Sequence, residues 1–212
     1  MNSVNRIIIP LGVFLLALSL ALVFTGYFQK KGPEEVKIES HPLPEIFDLE
    51  FQNLIGRTIK LEDIPAGFKL IYFGTVYESE VSSKALHSLY EITLSSHRFE
   101  LVPIFISLDP ERDKAGLIEG FLKPYQGRIK VLTGNLESIT ELANAYGVRF
   151  QKTELPNSAL HYTIDHSPWM YLTTPDYRIL AAYPTQINMD RLKMEIDSHM
   201  KQNHTNHTPG SK

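Results

Sequence analysis

Apolar and polar positions along the chain fall into three textures. From Ile7 to Phe28 there are 22 residues without a charge, long enough as a helix to cross the roughly 30 Å hydrocarbon core of a bilayer. A single membrane-spanning helix is expected there. A cleaved signal peptide is the competing reading, but the apolar run exceeds the usual roughly 7–15 residues and no small-x-small cleavage site follows it. The segment KKGPEEVKIESHPLP, Lys30 to Pro44, holds three prolines and no apolar period, which suits an extended linker.

Beyond the linker the pattern becomes that of a folded α/β domain. Phe47, Leu49 and Phe51 alternate with Asp48, Glu50 and Gln52, as in a half-buried strand, and Gly56 turns the chain into a second strand at Thr58 to Leu61. This predicts an opening β-hairpin. Short apolar runs at Lys69–Phe73 and Leu101–Ile106 read as buried central strands, and Ile129–Leu132, Tyr162–Ile164, Met170–Thr173 and Arg178–Tyr183 as further strands. Val81, Ala85, Leu86, Leu89 and Ile92 recur at helical spacing within 80–96. Asp109-Pro110-Glu111 has the chemistry of a helix start, with a capping carboxylate, proline at the first position and an acid favoured by the dipole; that helix is predicted to reach Leu122. Leu136 to Tyr146 forms another, closed by Gly147, and Met189, Leu192, Ile196 and Met200 mark the last. The polar KQNHTNHTPGSK that follows is expected to be disordered.

The predicted organisation is thus an anchor at 1–29, a linker at 30–44, one domain at 45–200 and a tail at 201–212. Strand, helix, strand, helix and hairpin with a closing helix is the order of a thioredoxin-like sheet with helices on both faces and an N-terminal β-hairpin.

Composition narrows the chemistry. The chain has no cysteine, which excludes a redox dithiol, a disulfide and a thiolate metal site together. From Gly32 onward, 18 basic side chains face 24 acidic ones, and such an acidic surplus repels phosphate backbones, so nucleic acid is not an expected partner. Arg6 on one flank of the span and Lys30 with Lys31 on the other leave its orientation open by charge.

Four stretches, in order, resemble the Sco/SenC family: FDLEFQNLIGRTIKLEDI, LIYFGTVYESEVSS, IFISLDPERD and IDHSPWMYL, with LTG at Leu132 to Gly134 as a weaker echo. The resemblance implies a membrane-anchored, thioredoxin-like protein of copper delivery and cytochrome c oxidase assembly. It implies an exported domain facing the periplasm of a bacterium, anchored in the inner membrane, or the intermembrane space of a mitochondrion. The absence of an Arg-rich, Ser-rich transit peptide favours the bacterial setting.

In that family a Cys-x-x-x-Cys pair after Phe-Gly joins a distant histidine in holding copper. Here Glu78 and Ser82 stand where the cysteines would be, Ser79 and Ser83 replace the neighbouring prolines, and His166 matches the third ligand. Soft Cu(I) prefers sulfur, whereas a carboxylate is a hard ligand and an unionised hydroxyl a poor one. No cofactor is therefore expected, and copper is implied by the resemblance alone. The acids of Glu78-Ser79-Glu80 also suit the first turn of a helix capped by Ser79. Tyr77, Trp169 and Met170 are expected to be core residues beside the old cleft. His199, His204 and His207 form an incidental tail group.

The expected function is that of a membrane-tethered, non-catalytic protein that binds a respiratory oxidase subunit or another envelope protein. The alternative is a non-thiolate metal carrier using His166 with Glu78 and Met170. A hydrolytic pair of Ser82 and His166 has no supporting nucleophile elbow or oxyanion motif, so no catalytic residue is assigned.

Overall fold

Seven consecutive buried residues, Phe68–Gly74, form the central strand β3. A strand covered on both faces must be apolar throughout. Leu70 and Tyr72 belong to one buried cluster, whereas Ile71 and Phe73 belong to a second on the opposite face. The computed structural model describes residues 44–77, 79–94, 100–125 and 127–207, all within one compact unit, Ile38–Lys212.

Around β3 lies a five-stranded mixed sheet. Leu101–Ser107 (β4) pairs parallel to β3, and Lys130–Leu132 (β5) pairs parallel to β4. On the other side, Trp169–Thr173 (β8) runs antiparallel to β3, and Ile179–Pro184 (β9) antiparallel to β8. Four α-helices occur among the described residues: Ser79–Thr93 (α1), Ala115–Leu122 (α2), Leu136–Ala145 (α3) and Met189–His207 (α4). Ala85, Leu86, Leu89 and Ile92 of α1 join residues of α2 and α4 in the cluster on the Tyr72 face. The opposite face is covered by α3 and by the N-terminal residues Ile46, Phe51, Leu61 and Ile64. Helices on both faces of a mixed sheet are as expected from the sequence.

Several predicted elements differ. The opening hairpin is present, but its strands are only Phe51–Gln52 (β1) and Thr58–Ile59 (β2). Pro44–Asp48 is a 3-10 turn, which buries Ile46 and sets Phe47 edge-on to Tyr177 at 5.8 Å. Phe150–Glu154 (β6), polar and without alternation, pairs with Tyr162–His166 (β7) in a separate two-stranded sheet. Helix α4 continues to His207, so residues 201–207 of the expected disordered tail are helical. The predicted helix at Asp109 starts instead at Ala115, with Lys114 at its N-cap and no side-chain cap.

The expected span at Ile7–Phe28 and most of the linker lie outside the described residues. Among the described residues no helix is long and apolar enough to cross a membrane.

Candidate functional site

The parallel strands β3 and β4 end side by side at Gly74 and Ser107, the carboxyl end at which open α/β sheets commonly place ligands. Gly74 is required there by a close approach. A Cβ at this position would lie 2.7 Å from the Tyr72 hydroxyl oxygen, so any side chain would displace Tyr72.

Room at Gly74 lets the Tyr72 hydroxyl reach Ser82 at 3.2 Å. The Ser82 hydroxyl donates to the Thr75 carbonyl at 2.7 Å. Having one proton, Ser82 then accepts from Tyr72, and the chain of donation runs from Tyr72 through Ser82 to Thr75. Ser82 is fully buried. The His166 ring stands edge-on to Tyr72 at 6.0 Å, and its Nδ1 lies 3.2 Å from the Ser167 carbonyl, which places the proton on Nδ1. The fold therefore brings positions 82 and 166 to one locality with Tyr72 between them. Glu78 lies outside the described residues.

A second polar cluster adjoins the first. Asp113, buried to 1% exposure, accepts from the Ser107 hydroxyl at 2.7 Å, the Thr75 hydroxyl at 3.0 Å and the Val76 amide at 3.3 Å. Burial pushes its carboxyl up to about 6, against the opposing pull of these three donors, and the nearby Asp109 adds to the rise. Asp109 pairs with Arg112 Nε at 2.6 Å and accepts from the Tyr162 hydroxyl at 2.9 Å. The Tyr162 phenol is pushed up by burial and by that hydrogen bond. Arg112 Nη1 donates to the carbonyls of Leu160 and Tyr162, and its guanidinium lies against the rings of Tyr162 and Tyr77.

These contacts explain why SLDPERD does not open a helix. Asp109 does accept from the Arg112 amide at 3.4 Å, as a cap would, but Asp113 is drawn into the strand ends, so the chain makes a single turn there. Sequence reasoning singled out the string but missed Thr75, Ser107 and Asp113 as one cluster. The available signal was hydroxyl residues placed directly at the ends of two apolar strands.

The remaining candidates separate. Met170 is fully buried in the Tyr72-side core, Trp169 packs half-buried on the opposite face, and Tyr77 stays 39% exposed. His199, His204 and His207 all fall within α4. Among the described residues no group of three His, Cys, Asp or Glu residues is placed to hold a metal ion. The residues present do not fit copper: the chain has no thiol, Ser82 is fully engaged inside the fold, and Met170 is sealed in the core.

The profile of the SCO1/SenC family matches residues 39–201. A mitochondrial SCO1 homolog 2 of Arabidopsis thaliana is 30% identical over 144 residues, covering 66% of this chain and 51% of the relative. A SCO2-like protein of Rickettsia felis is 27% identical over 139 residues, covering 65% and 67%. The chain spans about half the length of the two Arabidopsis relatives it matches, 51% and 44%. Among solved structures, copper-bound ScoI of Arabidopsis thaliana superposes with a TM-score of 0.64 at 26% identity, covering 73% of this chain and 96% of that one. Yeast Sco1 gives 0.58 at 24% identity, covering 71% and 96%. With a family profile matched across nearly the whole described domain, and with the sheet order and strand-end loop in place, this cysteine-free chain belongs to the SCO1/SenC family.

Proposed function

We propose that the chain is a membrane-tethered Sco scaffold that acts by binding a protein partner in respiratory oxidase or envelope-protein assembly, and does not carry copper through the inherited site. The observation that carries this reading is the hydrogen-bonded closure at Ser82. Where a thiolate ligand would stand, the side chain is buried and bonded to Thr75 and Tyr72. The frame around it is otherwise that of the family. A Sco neighbour, BsSco, 20% identical with a TM-score of 0.53, is a member of the Sco family of cytochrome c oxidase assembly proteins, which supports an assembly role. The apolar run Ile7–Phe28 supports tethering, with the domain exported, and a bacterial inner membrane with the domain in the periplasm is the setting proposed.

The test is copurification from membranes with the anchor intact. Recovery of oxidase subunits or another envelope assembly protein is expected. A stoichiometric Cu(I) complex that survives a strong competing chelator would sink the reading. The competing view, a non-thiolate metal carrier, is favoured by the His166 ring standing 6.0 Å from Tyr72, the residue bonded to Ser82. It predicts that His166→Ala sharply lowers divalent-metal affinity, and equal affinity in both proteins removes it.

A further inference from the structure

We infer that the ring of Tyr77 is a receptor for a cationic side chain of the protein partner, so that the partner's contact segment is basic. This rests on the partner-binding reading above and supplies its chemistry. An aromatic face attracts a cation through its quadrupole, most strongly where water is partly excluded.

The fold contains a worked instance. Tyr162 has two cations against its ring, Lys152 Nζ at 3.8 Å and the Arg112 guanidinium carbon at 3.5 Å from the centroid. Both charges are met by acids, Glu111 at 3.4 Å from Lys152 and Asp109 at 2.6 Å from Arg112. The same guanidinium carbon lies 4.4 Å from the Tyr77 centroid. The rings of Tyr162 and Tyr77 thus share Arg112. Among the described residues Tyr77 has one cation against its ring where Tyr162 has two. Although stacked on Arg112, it remains 39% exposed.

Charge complements this geometry. Glu78 and Glu80 lie within three residues of Tyr77 in sequence. The Glu80 side chain is 81% exposed, and its ion pair is to Lys84, one turn along the same helix. From Gly32 onward the chain has a surplus of six acids. Such a surplus steers a basic partner toward the surface and suppresses acidic ones. Tyr77 directly precedes the replaced ligand positions, so a partner docking there meets the loop in which this chain departs from its family.

The test uses the full-length chain in detergent micelles and a fluorescein-labelled peptide of alternating glycine and arginine, with a glycine–glutamate peptide as control. Binding is read by fluorescence anisotropy. The arginine peptide is expected to bind, Tyr77→Phe to bind equally, and Tyr77→Ala to weaken binding about fivefold. Tyr77→Leu keeps the apolar cover over Arg112 without the π face and is expected to weaken binding as Ala does. Unfolding midpoints of all variants are measured alongside, so that lost binding in a folded variant is attributable to the ring. Equal binding by Tyr77→Leu and wild type, or equal binding of the glutamate peptide, overturns the inference. If Tyr77→Leu copurifies the same partner from membranes as wild type, the contact falls while the assembly role stands; if wild type recovers none, the assembly role falls.

Discussion

Asp113 makes the stability of this domain depend on pH in an unusual direction. Its carboxyl is raised from 3.8 to about 6, chiefly by burial. Between those values the folded chain holds a proton that the unfolded chain has released, so raising the pH favours unfolding. The stabilising contribution is complete below about pH 4 and lost as pH passes through about 6. A shift of about two units corresponds to about 3 kcal/mol. Asp113→Asn removes the ionisation. Its amide oxygen can accept from Ser107 and Val76, and its nitrogen can donate to the Thr75 hydroxyl oxygen, at the loss of at most one hydrogen bond worth about 1 kcal/mol. The variant is therefore expected to be less stable than wild type by about 1 kcal/mol at pH 4 and more stable by about 2 kcal/mol at pH 8. Urea unfolding at unit steps from pH 4 to 8, followed by fluorescence of the single tryptophan, Trp169, measures both curves. Parallel pH dependences in the two proteins, or a variant less stable than wild type at pH 8, would refute the reasoning.

Other perturbations test the rest of the site end. Ser82→Ala leaves the buried Tyr72 hydroxyl and Thr75 carbonyl without their shared partner and is expected to lower stability by about 2 kcal/mol in urea unfolding. Arg112→Ala strips Asp109, which is 3% exposed, of its ion pair. A loss of about 3 kcal/mol is expected, together with faster amide hydrogen exchange in β6 and β7, which Arg112 ties down through Leu160 and Tyr162. At the opposite end of β3, Lys69 is buried, donates to the Pro175 carbonyl and is lowered by burial to about 8. Folding therefore strengthens as pH rises from about 8 to 10.5, and Lys69→Met is expected to abolish that rise of about 3 kcal/mol.

What was legible in the sequence was what depends on local pattern. The runs of β3 and β4 and the buried face of α1 follow directly from apolar spacing, because a sheet covered on both faces leaves those positions no other environment. Asp109 misled because its neighbours satisfy every local rule for a helix start and it does cap one turn, while Asp113, held by Thr75 from 38 residues away, leaves that turn for the strand ends. Strand β6 was invisible because only its pairing with β7 makes it a strand. At the site, Ser82 and His166 were singled out through resemblance, and the structure sets each against Tyr72. Tyr72 was not found, since an apolar strand residue gives no sign that a neighbouring glycine lets its hydroxyl cross to Ser82.

Cu(I) retention tests the central claim most directly. The full-length wild type and the double variant Glu78→Cys with Ser82→Cys are each loaded with Cu(I), challenged with a strong chelator and assayed for bound copper. Wild type is expected to retain none, and restoring the two thiolates is expected to yield one bound copper per chain, lost again on adding His166→Ala. Stoichiometric copper held by the wild type would contradict it.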